Sequence, residues 1–351
     1  MDYNYILLTD SRFISYAVSE LRELLGLEGR IKTMALGKGV YLAKLDALPE
    51  SASERLRNAT FSYGVVPVME ISEKMQTDDE LVESVSHFLS KDETFRVEVV
   101  SLGAKRGESA KSAEVKIGQA LESKGFKASL TEPKRVVYII VGEGIVVTAS
   151  DKSERLPDIT LDHFRLENRS HDSLNRAEIK IKEAFESFGL SGKKLERCLD
   201  VGASPGGWTN FLVKRGARVV AIDRGVLEYG KLATADFNVI TDLKDYSDRH
   251  TVLHIRANIS DEADLPFAPD SFDLVAVDTN TDYMESSRIA NLLSRYLRHG
   301  GFLIMTLKLP KISDAGRIHT VKELLAKEYK VERVKKLHHN RMELTLFATR
   351  L

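Results

Sequence analysis

One cysteine in 351 residues, Cys198, excludes a disulfide framework and any cysteine-rich metal site, and it suits a reducing cytoplasm. No apolar run approaches the roughly 18 residues that a bilayer span needs. The opening MDYNYILLTDSRF lacks the basic and apolar regions of a signal peptide, so it reads as a strand. Neither a membrane nor an obligate protein partner is indicated. Charge of one sign is missing too: the formal net charge is -1, so any nucleic-acid contact has to come from a local basic cluster. Internal repeats and low-complexity tracts are absent. With 43% hydrophobic and 29% charged residues the chain is globular, and it is long enough for two or three domains.

Periodicity divides what is there. YNYILLT reads as a strand, SRFISYAVSELRELLGL as a helix, and IKTMALGKGVYLAKL as two strands about a Gly-Lys-Gly turn. DDELVESVSHFLS, TFRVEVVSL, KSAEVKIGQALESKGF, KRVVYIIVG and GIVVTAS follow as helix, strand, helix and two strands. DKSERLPDIT is the candidate linker. From about Asn175, helix and strand alternate, which implies a parallel sheet with crossover helices. Seven strands are expected: RCLDVGA, ARVVAIDR, TVLHIRANI, FDLVAVD, GGFLIMTLKL, YKVERVKKL and RMELTLFAT, the last two forming an antiparallel hairpin.

GASPGGWT, residues 202–209, contains G-x-S-x-G, the pattern of a serine hydrolase elbow. That elbow needs the N–H of the residue after the serine, and here that residue is Pro205, which has none. Ser204 is therefore expected to be a wall, not a nucleophile. A phosphate loop fails for want of G-K-[ST], and the spacing G-x-x-x-G-G is not a dinucleotide fingerprint. What remains is a strand ending in a glycine-rich turn that opens a helix, where doubly wound sheets bind ligands. Asp223 closes the next strand, 21 residues after Gly202, the spacing of an acid that holds ribose hydroxyls. A nucleoside-type cofactor without a pyrophosphate fits, and S-adenosylmethionine is the commonest.

Four polar residues stand where polarity is expensive. Asp278 ends the apolar run FDLVAV, and Lys308 interrupts GGFLIMTLKL. An uncompensated buried charge costs several kcal/mol, so each needs a partner. Alternation in RMELTLFAT puts Glu343, Thr345 and Phe347 on one face. In NRAEIKIKEAF, Lys180 borders the apolar stripe and can lean over the sheet, whereas Lys182 faces solvent. Two lysines and two acids converging there would lower the pKa of one lysine through like charge and desolvation, making an amine base for a poor acid such as an alcohol.

The set NRAEIK, LDVGASPGGWT, VVAIDRG, VAVD, LIMTLKLP and HHNRMELTLFAT resembles the FtsJ/RrmJ-type RNA 2′-O-ribose methyltransferases, in particular the branch acting on large-subunit rRNA. The match covers roughly residues 170–351. It implies a Rossmann-like α/β methyltransferase fold and a catalytic tetrad of Lys180, Asp278, Lys308 and Glu343, with Lys308 as general base on the ribose 2′-hydroxyl and no metal. It also implies that Gly202, Ser204, Pro205, Gly206, Gly207 and Trp208 hold the methionine part of S-adenosylmethionine, Asp223 its ribose, and Asp278 the region of the sulfonium. Where the family has an acid at the adenine amine, this chain offers Asn258, with Asp261 three residues on; Asn can accept the same hydrogen bond. The segment FRVEVVSLGAKRGESAKSAEVKIGQALESKGFKASLTEPKRVVYIIV resembles a THUMP domain, an RNA-binding module usually preceded by a ferredoxin-like domain. From Phe95 to Arg135 nine basic residues (Arg96, Lys105, Arg106, Lys111, Lys116, Lys124, Lys127, Lys134, Arg135) stand against five glutamates, a local excess of +4. The expected domains are 1–65 ferredoxin-like, 66–150 THUMP-like, 151–165 linker and 166–351 methyltransferase, with rRNA favoured over tRNA as partner.

Other chemistries fit less well. Amino-group methyltransferases carry [DN]-P-P-[YF] where this chain has DTNTDY. Covalent base-carbon methylation needs a nucleophilic cysteine, and Cys198 lies inside a strand; a THUMP-type tRNA base methyltransferase stays as an alternative. A non-catalytic RNA-binding protein on the same fold would be expected to lose one of the four polar residues, and all four are present.

Overall fold

The computed structural model describes residues 1–37, 39–102, 109–156, 173–247, 249–259 and 265–351. The chain divides into two compact units, Met1–Asn168 and Arg169–Leu351. The first contains β1 (Tyr5–Thr9), α1 (Ile14–Leu25), β2 (Lys32–Gly37), β3 (Val40–Lys44), α2 (Ala52–Leu56), β4 (Ser62–Ser72), α3 (Asp78–Phe88), β5 (Thr94–Ser101), α4 (Ala110–Ser123), β6 (Lys127–Ala128), β7 (Arg135–Gly142) and β8 (Ile145–Lys152). Its strands form one sheet in the order β2-β3-β1-β4-β8-β7-β5-β6. β4 makes it continuous: residues 62–67 pair with β1, and residues 68–72 pair with β8. The boundary expected between residues 65 and 66 thus falls inside a strand. Pro67 hides that strand in the sequence, because proline in an alternating run reads as a break. Here it ends the ladder with β1, one residue before the partner changes.

Helix α4 buries Ala113, Ile117 and Leu121, spaced four apart, against the sheet, and Ser109 caps it by accepting the Ser112 N–H. The basic cluster is partly neutralised: Arg96 pairs with Glu98, Lys111 with Glu114, Lys124 with Glu83 and Arg135 with Glu93. Lys105 and Arg106 lie outside the described residues. Of the expected linker, 151 and 152 complete β8, 153–155 form one 3-10 turn, and 157–165 lie outside the described residues. Among the described residues no helix is long and apolar enough to cross a membrane.

The second unit contains α5 (Arg176–Ser187), β9 (Arg197–Val201), α6 (Gly207–Lys214), β10 (Arg218–Ile222), β11 (Phe237–Ile240), β12 (Val252–Ile255), β13 (Phe272–Val277), α7 (Tyr283–Leu293), β14 (Leu297–Lys308), α8 (Ile318–Leu325), β15 (Tyr329–Lys335) and β16 (Glu343–Arg350). Among the described residues its sheet has eight strands, in the order β11-β12-β10-β9-β13-β14-β16-β15. The expected seven omitted β11, whose four residues FNVI are half-exposed at the sheet edge and too short to show a period. Only β16 runs antiparallel, inserted between β14 and β15. Cys198, Leu274, Ala276, Ile304 and Phe347 share a core with residues of α5 and α6. The alternate residues of β13 and β14 point to the other face, where α7 packs on both strands. Buried Cys198, its thiol pushed well up by burial, packs in that core and is no nucleophile.

Candidate active site

Strand alternation brings the four polar side chains together. Asp278 follows β13 on the face of Leu274 and Ala276, and Lys308 ends β14 on the face of Ile304. In the antiparallel ladder, Lys308 lies directly opposite Glu343. Lys180 reaches the same point from α5. The result is a closed square of ion pairs. Lys180 Nζ donates to Asp278 Oδ2 at 3.0 Å and to Glu343 Oε1 at 2.9 Å; Lys308 Nζ donates to Asp278 Oδ1 at 2.9 Å and to Glu343 Oε2 at 2.6 Å. Thr306, one step back along β14's inner face, donates to Asp278 Oδ1 at 2.7 Å. Sequence reasoning missed Thr306, although its place two residues before Lys308 was a signal.

Burial would raise the pKa of Asp278 and Glu343, but Lys180 and Lys308 outweigh it and hold both carboxyls below their ordinary values. Burial would likewise lower Lys308, yet Asp278 and Glu343 prevail and hold its ammonium above the ordinary value. That corrects the expectation of a lowered lysine. Each lysine sits between two carboxylates, so like-charge repulsion is not what Lys308 chiefly feels. The side chain of Lys308 is 23% exposed and that of Lys180 9%, so Lys308 is the more accessible of the two lysines.

Beside the square, at the carboxyl ends of β9, β10, β12 and β13, lies a cavity of about 330 Å³. Gly202, Ser204, Asp223, Asn258, Asp278 and Thr281 contribute to its walls. Gly202, at φ +81°, lies so close to the end of β13 that a Cβ there would stand 2.5 Å from the Asp278 carbonyl oxygen. Asp223 accepts the N–H of Ser204 at 3.0 Å on one oxygen and that of Gly225 at 2.7 Å on the other. It therefore holds the glycine turn together, and each oxygen keeps a lone pair for a ligand hydroxyl. Behind it, His254 Nε2 lies 3.1 Å from the Asp223 carbonyl and Nδ1 lies 2.6 Å from the Tyr229 hydroxyl. A carbonyl only accepts, so Nε2 carries the proton and Nδ1 accepts from Tyr229. The Ser204 hydroxyl donates to the Val226 carbonyl at 3.0 Å. Asp261 lies outside the described residues.

Pro205, Gly206, Gly207 and Trp208, expected to touch the cofactor, do not line this cavity. Trp208, the second residue of α6, turns into the core that α6 shares with α5, and its Nε1 has no hydrogen-bond partner among the described residues. Gly207 serves helix packing: a Cβ there would meet Asn175 Oδ1 at 2.2 Å, where α5 begins against α6. Sequence distance from Gly202 is a poor guide here, because the chain turns into α6 at Gly206.

Asp200, two residues before Gly202, is fully buried, and its Oδ2 accepts from Thr209 Oγ1 at 2.7 Å while Oδ1 has no partner among the described residues. Burial, with Asp278 and Asp223 nearby, raises its pKa to about 7 against the Thr209 bond. The sign follows. Between pH ~4 and ~7 the folded state binds a proton that the unfolded state has released, so stability falls as pH rises through that window. Asp200→Asn cannot ionise. Its melting temperature relative to the wild type is expected to be higher at pH 8 than at pH 5 by scanning calorimetry without added ligands; a pH-independent difference would contradict a neutral Asp200.

Residues 174–329, all within the C-terminal unit, match the family model described as FtsJ-like methyltransferase. Among curated proteins, the chain is 31% identical over 189 residues to Ribosomal RNA large subunit methyltransferase M of Thauera aminoaromatica, covering 50% of this chain and 46% of that protein. It is 30% identical over 161 residues to Uncharacterized protein MJ1257 of Methanocaldococcus jannaschii, covering 45% of this chain and 38% of that one. The matched region thus spans less than half the length of either relative. Among solved structures, TrmN from Thermus thermophilus aligns with 99% of this chain and 100% of its own at 16% identity and a TM-score of 0.38, too low to bear on function.

Proposed function

We propose that the protein is an S-adenosylmethionine-dependent RNA 2′-O-ribose methyltransferase acting on large-subunit-type rRNA, with Lys308 as general base. The observation that carries this reading is the closed ion square of Lys180, Asp278, Lys308 and Glu343 beside a cavity walled by Gly202 and Asp223. The cavity suits a nucleoside cofactor. Its volume falls at the lower end of the small-molecule range, Asp223 offers acceptors to two ribose hydroxyls, Asn258 offers an acceptor to an adenine amine, and Asp278 places negative charge for a cationic centre. When bound, S-adenosylmethionine supplies an already activated methyl group.

Lys308 takes the proton of the ribose 2′-hydroxyl. In the square as it stands Lys308 is held protonated although Lys180 already shares Asp278 with it, so a further positive charge beside Asp278 is needed to free it. Each cation added to one carboxylate repels the others and gains less from it, which lowers the lysine toward the working pH. Lys180, more deeply buried, fixes Asp278 and Glu343, so that alignment supplies much of the rate. The N-terminal unit contributes RNA affinity through the basic residues of its second half, in keeping with the THUMP resemblance.

The test is transfer of labelled methyl from S-adenosylmethionine to total RNA from cells with and without the gene, followed by mapping of ribose methylation. A single rRNA 2′-O-methyl mark that depends on the gene is the expected result. A mark on a base, or none, would sink the reading.

A further inference from the structure

The turn between β15 and β16, residues 336–342, contributes nothing to the ion square, yet buried polar groups converge on it. Glu183, one residue short of a helical turn beyond Lys180 on α5, is 5% exposed. Its Oε1 accepts the N–H of His338 at 2.5 Å, and its Oε2 accepts both the N–H and the Nδ1–H of His339 at 3.0 Å. Facing a carboxylate, His339 Nδ1 carries its proton. Arg176, one turn before Lys180, donates from Nε at 3.1 Å and Nη2 at 2.5 Å to the His339 carbonyl. α5 therefore holds this turn on both sides of Lys180.

The turn itself is stiff. Lys336, fully buried, donates to the carbonyls of Leu337 at 3.1 Å and Asn340 at 2.6 Å. Asn340 Nδ2 donates to Thr345 Oγ1 at 3.0 Å, on the face of β16 that carries Glu343. Burial would raise the pKa of Glu183, but His339 and the two backbone N–H groups outweigh it and keep the carboxylate ionised. A buried carboxylate satisfied by three donors from one turn is a rigid joint between the helix bearing Lys180 and the strand bearing Glu343.

We propose that Glu183 is a positioning residue: through His339 it fixes the separation of Lys180 and Glu343, and so holds Glu343 against Lys308. The claim rests on the methyltransferase reading only for its effect on turnover. Without the joint, α5 keeps the Arg176 bond to the His339 carbonyl, the Arg333 bond to the Ser187 carbonyl and its apolar packing, but no carboxylate grips the turn beside Lys180, and small shifts there are ones that ion pairs of 2.6–3.0 Å do not tolerate. The charged groups facing Lys308 are Asp278 from the end of β13, Glu343 from β16 and, across them, Lys180 from α5. If Glu343 retreats, Lys308 loses one of two carboxylates that hold its proton, and its pKa falls.

His339→Ala and His339→Asn test this in the full-length protein, since an Asn Nδ2 can donate from nearly the position of the imidazole Nδ1. Glu183→Gln is the stronger lesion and serves if it folds. Lysine ε-carbon NMR titration reads Lys308 whether or not the protein turns over. In His339→Ala the Lys308 titration is expected to move to lower pH, and in His339→Asn to return toward the wild type. Where methyl transfer to RNA is detected, His339→Ala should lower kcat roughly 10-fold, within the range of a misplacement near 1 Å. KM should change little, and the rising limb of the pH profile should shift downward. An unchanged Lys308 titration in His339→Ala, or an equal shift in Ala and Asn, overturns the positioning role. Absence of methyl transfer in the wild type, with the Lys308 shift present, overturns the functional reading instead.

Discussion

Lys308→Arg is expected to abolish methyl transfer while leaving the fold and cofactor affinity close to wild type. Arginine keeps a positive charge between Asp278 and Glu343, which accept from Lys308 at 2.9 and 2.6 Å, so the square stays neutral. It cannot lose its proton at any working pH, so it cannot serve as a base. Lys308→Ala should lose turnover equally, by about 10²–10⁴-fold for removal of a general base. It should also cost stability, because two largely buried carboxylates, Asp278 and Glu343, are left to share the single cation Lys180. The pair of variants separates chemistry from structure. Turnover in Lys308→Arg within about tenfold of wild type, measured with labelled S-adenosylmethionine, would rule out Lys308 as the base.

Gly202→Ala is the substitution with the largest expected effect on folding. The left-handed φ of +81° costs a non-glycine residue about 1–2 kcal/mol. A Cβ would also stand 2.5 Å from the Asp278 carbonyl oxygen and 2.7 Å from its carbon, both backbone atoms that cannot swing away. The ends of β9 and β13 would have to part, taking Asp278 out of the square. Gly216 has a similar φ of +84° with nothing within 4 Å, so Gly216→Ala measures the backbone cost alone. Gly202→Ala is expected to lower the melting temperature of the C-terminal unit by roughly 10 °C or more, at about 2–4 °C per kcal/mol for a unit of this size, several times the effect at Gly216. Equal shifts for the two variants would show that the close approach to β13 carries no weight.

The glycine turn shows how far local pattern reaches. Pro205 alone ruled out the hydrolase reading, because an absent N–H is a covalent fact. Whether Trp208 faces a ligand or the core is not covalent. It depends on how α5 meets α6, which approach so closely at Asn175 and Gly207 that no Cβ would fit, and the indole lies in the core they share. β11 and β4 escaped notice for related reasons. One is too short for a period to show; the other carries a proline where the strand changes partner.

By itself, the sequence determined which residues had to be paired. Asp278 and Lys308 stand in apolar runs where an unpaired charge is prohibitive, and alternation put Glu343 on one face with Thr345 and Phe347. It also pointed to the turn after the first strand of the C-terminal sheet, of which Gly202 and Ser204 line the cavity. Only the tertiary structure decided who pairs with whom and with what result. The register of β14 and β16 sets Lys308 opposite Glu343, and the joint of Glu183 with His339 brings α5 over the same point. Because the four charges close into a square, Lys308 is raised, not lowered. A charge's balance of attraction and desolvation depends on distances in three dimensions, which no spacing along the chain contains.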